Sequence, residues 1–243
     1  MSPRPLSIVS LLFLLVMAFA GASSVAVGQP VTPDRGGPAV GSAVTLEDIA
    51  NHPQESPAIQ RMVQQGIMQK AANNNFAPDA DLTRGDFAVM MQRMFGLTAS
   101  RQSVAYSDIG PQSKIYGAVN AVAPYMNFQP LCPGCLLSTQ FSPGEKMTRG
   151  QVALVMVRIL GAKSKVAPLS DAEMRDVLQA TPDAKNWPPA ARPYFAVAVK
   201  NDLLPSQPDR SFAPRLAVTR AQAAVAADGV QQRFSIPAVR APQ

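Results

Sequence analysis

"LTRGDFAVMMQRMFG", residues 82–96, reads as the start of a helix with an arginine in the wrong place. Thr83 suits an N-cap, and Asp86 stands three residues on at capping-box spacing. Phe87, Met90, Met91 and Met94 form one apolar helix face. Arg84 is the misfit, because a helix N-terminus carries roughly half a positive charge and a cation there costs about 0.3–1 kcal/mol. The same arrangement returns as "MTRGQVALVMVRILG" (147–161) and "VTRAQAAVAADGVQ" (218–231). Thr148 and Thr219 are the caps, Gln151 and Gln222 hold the position of Asp86, and Arg149 and Arg220 repeat the misfit. The stripes are Val152, Val155, Met156 and Ile159, then Ala223, Ala226, Ala227 and Val230; the small third set predicts closer or weaker packing.

Outward from the threonines, a Phe-X-Pro stands seven residues upstream each time, at Phe76, Phe141 and Phe212. This fixed offset marks an internal repeat with spacings of 65 and 71 residues. Each unit also has a candidate first helix. In "SPAIQRMVQQGIMQK", Ser56 suits a cap, Pro57 suits the first helical position, and Ile59, Met62, Val63 and Ile67 share a face. The others are "SKIYGAVNAVAPYM" and "PPAARPYFAVAVKNDLL". Ahead of each helix stands an aspartate followed by an apolar residue: Asp48, Asp108 and Asp176. Three units result, 45–98, 105–162 and 169–234, each read as aspartate loop, helix, turn, helix. One such unit cannot bury its stripe alone, whereas three facing a common centre can.

Residues 1–26, with Arg4 ahead of "LLFLLVMAFA", read as a secretory signal peptide, so export to the cell envelope is expected. The apolar run is short for a membrane span, and membrane contact is expected only through this segment if it stays uncleaved. Residues 27–44 form a Pro/Gly-rich linker and 235–243 a tail. The net charge of +6 suits an anionic partner. Its basic residues are scattered, which with export argues against nucleic acid.

Cys132 and Cys135, in "CPGC", are the two cysteines; a loop-stiffening disulfide is the first reading, with metal-binding thiols or a catalytic dithiol as alternatives. A single histidine, His52, gives little to hold a metal or to run His-dependent catalysis, and no nucleophile elbow or phosphate-cradling glycine loop is present. No cofactor and no enzymatic activity are expected.

With "AIQRMVQQGI", "NNFAPDADLTRGD" and two more degenerate copies, the chain resembles a triplet of S-layer homology domains. The resemblance implies a mostly α fold, a pseudo-threefold assembly of three two-helix repeats around a central three-helix bundle. It also implies non-covalent binding of anionic cell-wall carbohydrate or peptidoglycan in grooves between repeats. The groove arginines map onto Arg84, Arg149 and Arg220, with neighbouring helix N-termini expected to add N–H donors for an anion. A salt bridge from these arginines to Asp48, Asp108 or Asp176 is the structural alternative. The chain departs from the family at Asp86, Gln151 and Gln222, which replace a glutamate, and at Gly85 and Gly150, which replace an alanine. A Gly-Ile helix ending is clear only at Gly66-Ile67. Two other functions compete: a module that binds another envelope protein, and a thiol-disulfide oxidoreductase using the cysteine pair.

Overall fold

The computed structural model describes residues 46–71, 73–99, 105–132 and 139–238. The expected signal peptide, the linker, Cys135 and the last five residues of the tail lie outside them. Seven α-helices fall within the described residues: α1 (Ser56–Gln64), α2 (Arg84–Phe95), α3 (Tyr116–Val122), α4 (Arg149–Ala162), α5 (Asp171–Ala180), α6 (Arg192–Lys200) and α7 (Arg220–Phe234). The fold is mostly α, with only isolated β-bridges among these residues.

The threonines start α2, α4 and α7. Each has extended backbone, and each hydroxyl accepts a hydrogen bond from the N–H three residues on. Gln151 and Gln222 complete the box by accepting from the N–H of Thr148 at 2.9 Å and of Thr219 at 3.3 Å. Asp86 does not reach back in this way; its carboxylate lies 3.4 Å from Arg220 Nη1. At α1 the cap differs from expectation. Glu55 is the N-cap, and the Ser56 hydroxyl instead donates to the carbonyls of Ile49 and His52, both at 2.7 Å. Pro124 shortens the middle unit's first helix, and a 3-10 turn, Ala123–Tyr125, follows α3.

The third unit holds an element the sequence reading missed. Ser170 accepts from the N–H of Glu173, whose carboxylate accepts from the N–H of Ser170 at 2.9 Å, and this capping box opens α5. The unit's aspartate loop follows α5 and so begins later in the chain than expected.

All twelve stripe residues of α2, α4 and α7 are buried in one hydrophobic core. The helices pair between units: α2 packs on α3, α4 on α6, and α7 on α1. Where α2, α4 and α7 begin, three hydrogen bonds close a ring. Leu82 N–H donates to the Val218 carbonyl (2.8 Å), Val218 N–H to Met147 (2.9 Å), and Met147 N–H to Leu82 (2.9 Å). The three side chains are fully buried. The ring therefore satisfies main-chain groups that burial would otherwise leave unpaired, at a cost of several kcal/mol in an apolar setting.

Candidate functional site

Each misplaced arginine points away from its own helix and into the Phe-X-Pro turn of another unit. Arg84 Nη1 donates to the Phe141 carbonyl at 2.6 Å, Arg149 Nε to Phe212 at 2.7 Å, and Arg220 Nε to Phe76 at 2.8 Å. Arg149 Nη2 also donates to the Pro205 carbonyl (2.9 Å) and Arg220 Nη2 to that of Gln69 (2.6 Å). Arg149 and Arg220 lie over the rings of Phe212 and Phe76, while Arg84 lies over Phe128. A hydrogen bond to a charged group contributes about 1.5–3 kcal/mol, more than the helix-dipole cost that made these positions look wrong.

The helix N-termini themselves are already engaged. Arg84 and Gly85 N–H donate to the carbonyls of Glu145 and Pro143, Arg149 and Gly150 to Leu216 and Pro214, and Arg220 and Ala221 to Ala80 and Pro78, all at 2.7–3.0 Å. The expectation that these N–H groups would receive an anion is therefore corrected: protein carbonyls hold the first two of each helix. The same close approach accounts for the glycines. A Cβ on Gly150 would stand 2.9 Å from Phe195 and 3.0 Å from the Pro214 carbonyl, and one on Gly85 would stand 3.2 Å from Pro143.

The aspartates serve the turns. Asp48 accepts from the N–H of Phe76 and Ala77, and Asp108 from Phe141 and Ser142, at 2.6–2.8 Å. Burial pushes the Asp108 carboxyl up, but those N–H groups and the nearby Arg84 together outweigh it and hold it below the ordinary aspartate value. In the third unit this place belongs to Asp183, which accepts from Phe212 and Ala213, both at 2.9 Å, and from the indole N–H of Trp187 at 3.2 Å. Asp176 is an exposed residue on α5, so its assignment as a repeat-start aspartate is corrected. The central residue of each turn, Ala77, Ser142 or Ala213, has φ between 50° and 56°. The paired carboxylate bonds hold the backbone in this unfavourable left-handed region.

No repeat aspartate forms a salt bridge with the three arginines among the described residues. Their carboxylate partners are Glu145 for Arg84 and Asp86 for Arg220. Sequence reading missed a second row of arginines on the same helices: Arg93, Arg158 and Arg233 donate to the carbonyls of Gly66 (2.8 Å), Tyr125 (3.0 Å) and Asp202 (3.0 Å). Their signal was an arginine ten residues after Thr83 and Thr148 and fourteen after Thr219. Cys132 is disulfide-bonded, and Cys135 lies outside the described residues. Among the described residues no group of three metal-ligating side chains could hold an ion, and no helix is long and apolar enough to cross a membrane.

Two segments of the chain match the S-layer homology domain. They are residues 45–88 and 180–224. The first S-layer homology segment takes in Asp48, Phe76, Thr83 and Arg84; the second takes in Asp183, Phe212, Thr219 and Arg220 but not Asp176. The middle unit lies outside both and carries the corresponding bonds through Asp108, Phe141 and Arg149. The surface-layer 125 kDa protein of Lysinibacillus sphaericus is 26% identical over 188 residues, which cover 76% of this chain and 14% of that protein. The chain thus corresponds to a small part of that relative's length.

Proposed function

We propose that the chain binds an anionic cell-wall polymer or peptidoglycan non-covalently and so anchors or adapts proteins at the cell envelope, without catalysing a reaction. Three equivalent units, about 45–98, 105–162 and 169–234, sit around a pseudo-threefold axis, and the grooves between them receive the polymer. The observation that carries this reading is the pair of S-layer homology segments, each with its arginine set in a turn of another unit. The ring formed by Leu82, Met147 and Val218 supports the threefold relation. The likeness to a surface-layer protein supports an exported, envelope-facing role.

The test is co-sedimentation of the full chain with purified cell-wall fragments, before and after the walls are stripped of acid-labile anionic polymer. Retention on intact walls that falls at least about tenfold on stripped walls is expected, together with weakening by salt. Chain left in the supernatant even at low salt overturns the reading.

A further inference from the structure

Arg149 is fully buried, yet its Nη1 has no hydrogen-bond partner. The comparison with Arg220 shows what is missing. Both guanidinium groups give Nε to a phenylalanine carbonyl and Nη2 to a second carbonyl; Arg220 gives Nη1 to Asp86, and Arg149 gives it to nothing. Asp86 is the third residue past the Thr83 cap, and the unit that Arg149 enters has Gln222 at that position.

The other internal carboxylate is missing as well. The Arg84 N–H donates to the carbonyl of Glu145, whose side chain pairs with the Arg84 guanidinium. The Arg149 N–H donates in the same register to Leu216, which is 53% exposed and the one large hydrophobic side chain out in solvent among the described residues. Each of the other two arginines has one internal carboxylate, and both positions around Arg149 are neutral. Burial pushes the Arg149 guanidinium below its ordinary pKa, opposed only by Asp183, whose oxygens already serve the Phe212 turn. Beside Arg149 is a cavity of about 60 Å³, lined also by Arg210, Ser206, Ser211 and the carboxylate-bearing Asp202, which lies 3.6 Å from Arg233.

We infer that the three arginine pockets are not equivalent: the Arg149 pocket takes an external oxyanion of carboxylate size, and Glu145 and Asp86 act as built-in occupants of the other two. This rests on the wall-binding reading for its physiological ligand and on the side-chain geometry for the site itself. A carboxylate or a phosphate group supplies the chemistry, since each places oxygen acceptors against a planar donor.

The experiment follows the side-chain N–H resonances of Arg84, Arg149 and Arg220 in the full chain as sodium acetate or inorganic phosphate is added at constant ionic strength. A saturable shift at Arg149 alone is expected, and the anion that produces it tells a carboxylate site from a phosphate site. Leu216→Glu changes an exposed residue, is expected to fold, and supplies the missing carboxylate; it should weaken the Arg149 response at least about tenfold. Glu145→Leu should create a response at Arg84. No saturable shift at Arg149 with either anion overturns the inference. So does a response that survives Leu216→Glu, or equal responses at all three arginines in the wild type. If Arg149 responds but the walls do not retain the chain, the wall-binding reading falls and the pocket stands; the reverse result removes the pocket alone.

Discussion

Where α4 meets α6, Trp187, Phe195 and Phe212 pack with ring centroids 4.9–5.5 Å apart; where α7 meets α1, the α7 face is alanine and a two-point ion pair crosses the seam. Arg61 Nε and Nη2 each lie 2.6 Å from an oxygen of Asp228, which is buried and also accepts from Gln232. Both seams join a unit's second helix to the first helix of another unit, so the contrast lies in the side chains. Aromatic bulk fixes the first seam by filling space, to the point that Gly150 leaves no room for a methyl group. Alanines fill little space, and there a directional pair sets the orientation.

The sharpest break in this contrast is Phe195→Ala. It empties a buried aromatic site that touches Gly150 and should lower unfolding stability by about 3–5 kcal/mol, read from denaturant midpoints. A loss below about 1 kcal/mol would mean that the aromatic cluster does not hold the seam.

Next in size is Asp228→Asn. Removing one partner of a buried pair can cost several kcal/mol, but Arg61 is 45% exposed and can rehydrate, so about 1–2 kcal/mol is expected. The deficit should shrink in about 1 M salt, where the screening length is about 3 Å. An unchanged deficit would point to packing rather than charge.

Much of this architecture was legible because its signals are local. The threonine caps, the stripes at helical spacing and the Phe-X-Pro offset each depend on residues within two turns of one another, and the helices formed where these placed them. Arg84, Arg149 and Arg220 were legible as anomalies only. Their explanation is a set of carbonyls 57–144 residues away, which no local pattern encodes. Asp176 misled because Asp176-Val177 copies Asp48-Ile49 in type, whereas distance to the phenylalanine separates the cases: Asp48, Asp108 and Asp183 lie 28, 33 and 29 residues before Phe76, Phe141 and Phe212. The Ser170–Glu173 capping box was present in the sequence as well, hidden by the assumption that each unit holds two helices.

The smallest expected effect sharpens the contrast between the two ion pairs. On the aromatic side, α5 is tied to α6 by Glu173 and Lys200, both open to solvent, instead of by a buried pair. The Lys200 ammonium, then the N–H and hydroxyl of Ser170, outweigh the slight effect of burial and pull the Glu173 carboxyl from its ordinary 4.5 down to about 2. A carboxyl whose pKa is lower in the folded chain binds its proton more readily when unfolded. Its contribution is thus complete above about pH 4.5 and disappears as the pH falls toward about 2. In Lys200→Met the Glu173 midpoint, followed by carboxyl carbon NMR, should move up toward 4.5 while the aromatic seam stays intact. A wild-type midpoint already near 4.5 would show that this exposed pair is too mobile to bind its proton differently from the unfolded chain, leaving Arg61–Asp228 as the ion pair that matters between helices.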